Sequence, residues 1–144
     1  MSEEVRREVN SLGTVRYSNK EGKYHRLDGP AVECTDGYKA WYLEGKKHRL
    51  DGPALECADG RKEWWIEGNL HRLDGPAVEY ADGSKQWYIE GNLHRLDGPA
   101  VECTDGYKEW YIEGKYYKTE EEWEKARCPS IEEAAAMFKE VQHE

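Results

Sequence analysis

The string His25-Arg26-Leu27-Asp28-Gly29-Pro30-Ala31 returns unchanged at 48–54, 71–77 and 94–100, always 23 residues on. A fixed period of this length marks a stacked repeat array, in which each unit buries its apolar side against the next copy. The chain accordingly divides into a leading segment (1–24), four repeats (25–47, 48–70, 71–93 and 94–116) and an acidic C-terminal cap (117–144).

Each string is followed by two extended halves. In the first copy Ala31-Val32-Glu33-Cys34-Thr35 runs into Asp36-Gly37, and Tyr38-Lys39-Ala40-Trp41-Tyr42-Leu43-Glu44 follows. Asp-Gly between β-formers is a strong hairpin signal, because a type I′ turn needs positive φ at both central residues. A two-residue loop sets Cys34 opposite Lys39, Val32 opposite Trp41 and Ala31 opposite Tyr42. Alternation then predicts one face of Val32, Cys34, Trp41 and Leu43, and a second of Ala31, Glu33, Ala40 and Tyr42. The Trp-bearing face is the expected core. The second face, with Tyr42, Trp65, Tyr88 and Tyr111 beside Glu33, Glu56, Glu79 and Glu102, is the expected binding surface. Large rings supply contact area at low entropic cost and are enriched at interfaces. The residue after each turn varies (Tyr38, Arg61, Ser84, Tyr107), which makes it a candidate specificity position.

The fold class expected is mainly β: an elongated single antiparallel sheet of four stacked hairpins, about nine strands, with a short C-terminal helical cap. A degraded half-unit at 15–20 predicts an N-terminal capping strand, and residues 1–12 are expected to be partly disordered. Thr119-Glu120-Glu121-Glu122 has capping-box spacing and predicts a short helix ending before Cys128-Pro129. A second helix is expected on the stripe Ile131, Ala134, Ala135, Phe138 and Val141.

Composition narrows the function classes. The net charge is −9, with six Trp and ten Tyr among 144 residues, and the acidity grows toward the C-terminus. Such a surface repels phosphate backbones and anionic lipid, so the expected partner is a protein with a basic surface, with no direct nucleic-acid or membrane contact. No apolar run approaches the roughly 20 residues that span a bilayer. Residues 1–10 lack the apolar core of a secretory signal, so a cytoplasmic location is expected. Cys34, Cys57 and Cys103 are equivalent positions two strands apart, roughly 10 Å, which is too far for a disulfide.

The four His-Arg-x-Asp clusters invite a catalytic or metal reading. A kinase loop does not fit, because the Asp falls one place too late and no Asp-Phe-Gly follows. One His per repeat, about 10 Å apart, is a poor metal set. The expectation is no catalytic residues, no metal and no cofactor. Asp28, Asp51, Asp74 and Asp97 should bond turn amides while the arginines stack or pair with carboxylates. Gly45 and Gly52 should supply backbone freedom, and Pro the start of the next strand. A ligand-binding or hydrolytic role for these loops stands as one alternative. An acidic nucleic-acid mimic, with Glu rows filling a basic cleft, stands as another.

Trp87-Tyr88-Ile89-Glu90-Gly91, His94, Gly98 and turns such as Asp105-Gly106 give the unit its family look. Over residues 15–117 the chain resembles the MORN family of 23-residue β-hairpin repeats, and more closely the MORN-like variant of bacterial antitoxin-type and phage proteins. It departs from the family in having the longer His-Arg-Leu-Asp-Gly-Pro connection. The resemblance implies a protein-binding scaffold, sometimes lipid-associated. It suggests a non-enzymatic inhibitor of a toxin or bacterial defence system, acting in the host cytoplasm if phage-encoded.

Overall fold

The computed structural model describes residues 4–127. The chain opens with a hairpin of β1 (Arg6–Val9) and β2 (Val15–Ser18). Each of the first three repeats then contributes four short strands. These are β3 (Val32–Glu33), β4 (Lys39–Ala40), β5 (Tyr42–Leu43) and β6 (Lys46–Lys47) in the first. The second holds β7 (Leu55–Glu56), β8 (Lys62–Glu63), β9 (Trp65–Ile66) and β10 (Asn69–Leu70). The third holds β11 (Val78–Glu79), β12 (Lys85–Gln86), β13 (Tyr88–Ile89) and β14 (Asn92–Leu93). The last repeat has β15 (Val101–Glu102), β16 (Lys108–Ile112) and β17 (Lys115–Tyr117), followed by α1 (Glu120–Arg127).

One antiparallel sheet of eleven strands runs the length of the array in the order β1-β2-β3-β4-β7-β8-β11-β12-β15-β16-β17. The mainly β architecture, with one long antiparallel sheet and a short C-terminal helix, is thus the one expected; β5 with β6, β9 with β10 and β13 with β14 pair separately as three two-stranded ribbons. The count exceeds the expected nine partly because β1, in the stretch read as partly disordered, pairs with β2 from Arg6↔Ser18 to Val9↔Val15. The capping strand at 15–20 is present as β2, which pairs with β3 through Val15↔Glu33 and Arg16↔Val32. The second expected helix lies outside the described residues.

The hairpin register differs from the sequence reading by one residue. Val32 faces Ala40 and Glu33 faces Lys39, and the Cys34 amide bonds the Tyr38 carbonyl. The loop is therefore three residues, Thr35-Asp36-Gly37. Asp36 Oδ1 accepts the Tyr38 amide, and φ is positive only at Gly37, at 103°. This is a type I turn closed by a bulge glycine, which suits Asp-Gly as well as a I′ turn does. The type I′ turn sits one step further on. Glu44 and Gly45 have φ of 48° and 82°, and Leu43 pairs Lys46 across them; the same pair recurs at 67–68, 90–91 and 113–114.

A one-residue slip exchanges the faces. Val32, Ala40, Leu55, Glu63, Val78, Gln86, Val101 and Glu109 now stand in one cross-strand row. On the opposite face Glu33, Lys39, Glu56, Lys62, Glu79, Lys85, Glu102 and Lys108 alternate in sign from strand to strand. Opposite charges directly across a sheet contribute roughly 0.2–1 kcal/mol per pair. Trp41 therefore lies on the Glu/Lys side, and Tyr42 on the Val/Ala side, where it packs with Cys34, Tyr38 and Cys57. The core is thin: the valine row, Leu55, and the string's own alanines, Ala31, Ala54, Ala77 and Ala100, each fully buried.

Glutamate at φ near +48° is strained, since L-residues other than Gly and Asn pay roughly 1–2 kcal/mol there. Glu67, with φ 47°, has an exposed side chain. Glu67→Asn creates Asn-Gly, the preferred I′ pair, and is expected to stabilise by about 0.5–1 kcal/mol. Urea denaturation checks this; an unchanged or lowered midpoint would contradict the assigned turn.

Candidate functional site

Six of the seven residues of the invariant string have a structural task. The imidazole Nδ1 of His48 accepts the Glu67 amide at 3.0 Å, anchoring the strained turn of its own repeat; His25, His71 and His94 do the same for Glu44, Glu90 and Glu113. Arg72 lies 3.8 Å over the Trp64 ring of the preceding hairpin, as Arg49 does over Trp41 and Arg95 over Trp87. Its Nε donates to Asp74 at 2.9 Å, and its Nη1 donates to the Pro76 carbonyl at 3.0 Å and to Glu79 at 3.3 Å. The arginines thus both stack and pair, as expected. The aspartates were expected to bond turn amides; they accept from the arginine instead.

Gly75 is needed for room. A Cβ there would stand 3.0 Å from Arg72 Cζ, and at Gly98 2.7 Å from Arg95 Cζ. Gly52, expected to provide backbone freedom, has no positive φ and serves this same close approach to Arg49. The arginine also draws on the proton balance of its partner: the Arg26 hydrogen bond and charge hold the Asp28 carboxyl below its usual range.

Leucine has no such partner. Leu27, Leu50 and Leu73 are 73, 82 and 83% exposed, and Leu96, nearest the cap, is 50% exposed. They form a ridge on the side of the sheet that carries Trp41 and Leu43. Between consecutive strings lie three equivalent open clefts of 460, 660 and 680 Å³. The middle one is lined by Leu50, Leu73, Trp64, Ile66 and the Arg-Asp pairs. Sequence reasoning passed over this leucine because it shares a string whose sameness is explained by its neighbours. The signal available was an apolar side chain inside a polar Gly/Pro connection.

The residues expected to form one binding face are split between two. Tyr42, Trp65, Tyr88 and Tyr111 form a row on the valine side, half-buried. Three of the four bond the polar side chain two residues earlier: Trp65 Nε1 donates to Glu63 at 2.7 Å, Tyr88 to Gln86 at 3.2 Å and Tyr111 to Glu109 at 3.0 Å. Burial pushes the Tyr42 and Tyr88 hydroxyls up. Glu33, Glu56, Glu79 and Glu102 lie on the opposite face between lysines, and the last three also meet Arg49, Arg72 and Arg95 at 3.7, 3.3 and 3.0 Å.

The variable positions sit beside the ring row and are used internally. Tyr38 packs in the core cluster, and Arg61 pairs with buried Glu63 and lies over Tyr80 at 5.1 Å. Ser84 Oγ accepts the Thr104 amide at 3.4 Å. Tyr107 is the exposed one, and its hydroxyl donates to Glu109. That bond pushes the Tyr107 phenol up to about 12. A raised value favours the fold at lower pH, and the benefit fades as pH climbs toward 12. Glu109→Gln should return this phenol toward the ordinary value of about 10, seen as an earlier tyrosinate absorbance step. An unmoved step would show that the carboxylate is not its partner.

Cys34, Cys57 and Cys103 are free, half-buried thiols, and burial raises the Cys57 thiol, which lowers its thiolate fraction. Among the described residues no group of three or more His, Cys, Asp or Glu is gathered for a metal, and no helix is long and apolar enough to cross a membrane. No protein-family model, curated protein or solved structure matches the chain.

Proposed function

We propose that the protein is a non-enzymatic repeat scaffold that binds and blocks a protein partner, in the manner of a phage anti-defence or antitoxin-type inhibitor, in the cytoplasm. The observation that carries the binding role is the leucine ridge: four exposed apolar side chains at identical positions, with nothing in the fold to explain them. Exposed apolar patches held in register mark interaction surfaces. The inhibitory part of the reading rests on the MORN-like resemblance of residues 15–117.

Two features favour binding over catalysis. Each string imidazole already uses Nδ1 to hold a turn amide, and each Asp is engaged by the adjacent arginine. The clefts are open and threefold repeated, whereas catalytic sites enclose one reacting centre. The nucleic-acid mimic loses its main support, since the glutamate row is interleaved with lysines rather than presenting an unbroken run of carboxylates.

The test is a photoreactive benzophenone side chain placed at Leu73 or, as a control, at Thr104 on the distal Asp-Gly turn, in cells that express the protein. A protein adduct forming at Leu73 and not at Thr104 is the expected result. Equal labelling at both places, or none at Leu73, would defeat the reading.

A further inference from the structure

We propose that the leucine ridge and its three clefts bind an extended, polyproline II-type peptide segment with an apolar side chain at every third residue and basic residues between. The proposal rests on the scaffold reading above and names the chemistry of the partner. The ridge repeats once per hairpin, and equivalent positions two strands apart are separated by about 9.6 Å. A polyproline II helix advances about 9.3 Å per three-residue turn, so side chains at i, i+3, i+6 and i+9 meet successive leucines with a drift of only about 1 Å across the array.

Other regular ligands fit less well. An α-helix places i and i+7 about 10.5 Å apart and drifts by about 2.7 Å over three steps, roughly three times the polyproline drift. A β-strand returns to one face at multiples of about 6.8 Å and misses the spacing altogether. The cleft lining points the same way. Each holds a tryptophan, Trp41, Trp64 or Trp87, beside a branched aliphatic residue, and aromatic-lined grooves are what preformed polyproline segments dock into at low entropic cost.

Charge selects the residues between. The string aspartates stand at the cleft rims with their carboxylates almost bare: Asp28, Asp51, Asp74 and Asp97 side chains are 85, 87, 86 and 86% exposed. Each shares its one arginine with a glutamate in the second to fourth repeats, and residues 48–70, 71–93 and 94–116 each carry a net charge of −2, so the field along the array favours a basic ligand. Lysine or arginine on the peptide's outward edges would meet these aspartates.

The experiment uses the full chain and a synthetic peptide of four Pro-Leu-Lys triplets, titrated by calorimetry and by tryptophan fluorescence. Affinity is expected to rise by at least about tenfold between two triplets and four, because added triplets bind at high effective concentration. Leu50→Ser and Leu73→Ser should each weaken binding by about tenfold. Both should leave the melting temperature unchanged, since the side chains are exposed. A peptide of the same composition with its leucines clustered should bind at least about tenfold more weakly. Equal affinity for the clustered peptide, tighter binding of a heptad-patterned helix of the same charge, indifference to Leu73→Ser, or no binding of the triplet peptide would each overturn the proposal. Any of these together with a specific adduct at Leu73 would remove the extended peptide and leave the scaffold; loss of the adduct as well would remove both.

Discussion

Arg72→Ala is expected to destabilise the array by about 2–4 kcal/mol, while Asp74→Asn costs less than about 0.5 kcal/mol. The difference follows from where each partner sits. The Arg72 side chain is only 21% exposed, whereas the Asp74 carboxylate is 86% exposed and its charge is screened by water. The Asp arm therefore contributes little despite its 2.9 Å distance. The bonds to the Pro76 carbonyl and Glu79, and the stack on Trp64, are made in drier surroundings and dominate. Arg72→Lys keeps the charge but loses the planar fork and the stack, so it should fall within about 1 kcal/mol of the alanine variant.

Gly75 supplies an internal control. Its φ is not positive, so alanine is conformationally acceptable, and the obstacle is the guanidinium 3.0 Å from the added Cβ. Gly75→Ala should destabilise the wild-type protein but be neutral or stabilising, by up to about 1 kcal/mol, once Arg72 is alanine. Urea denaturation of the two single variants and the double variant measures this coupling. Additive effects, or an Asp74→Asn loss as large as that of Arg72→Ala, would show that the joint is held by the surface ion pair instead.

The long sheet and the helix at Glu120–Arg127 were legible because they depend on pattern, and pattern survives small errors of register. The faces were not, because they depend on a single residue. Asp36-Gly37 is compatible with a two-residue and a three-residue loop, and the choice exchanges every side chain between faces. A cross-strand charge test would have decided it. Glu at 33 and Lys at 39, repeated at 56 and 62, 79 and 85, and 102 and 108, sit opposite each other only in the three-residue register. The Trp-to-Arg spacing of eight, constant at 41–49, 64–72 and 87–95, carried the stacking signal in the same way. The clefts had no such sequence signature. They arise from how consecutive connections stand beside each other, and no short-range rule gives that.

The helix at the C-terminal end should depend on one side chain. Of the residues of α1 only Trp123 is buried, at 3% exposure, and its Nε1 donates to the Arg95 carbonyl at 3.0 Å. Thr119 Oγ1 caps the helix at the Glu122 amide, yet eight residues are too few to remain helical in water without docking. Trp123→Ala is therefore expected to remove about 3–5 kcal/mol of docking energy and to release the helix as a unit. Trp123→Phe keeps the ring, loses the hydrogen bond, and should cost about 1 kcal/mol. Because stability in a stacked array is shared only between neighbours, the damage should stay local. Hydrogen exchange should accelerate across 108–127 while amides of the first two repeats keep their protection. The freed edge at β17 would then offer unpaired backbone groups to a second chain, so light scattering should show concentration-dependent association absent from the parent protein. Loss of protection spread evenly along the sheet would mean that the array folds as one cooperative body, and an unchanged exchange pattern would mean that the helix is held by contacts other than Trp123.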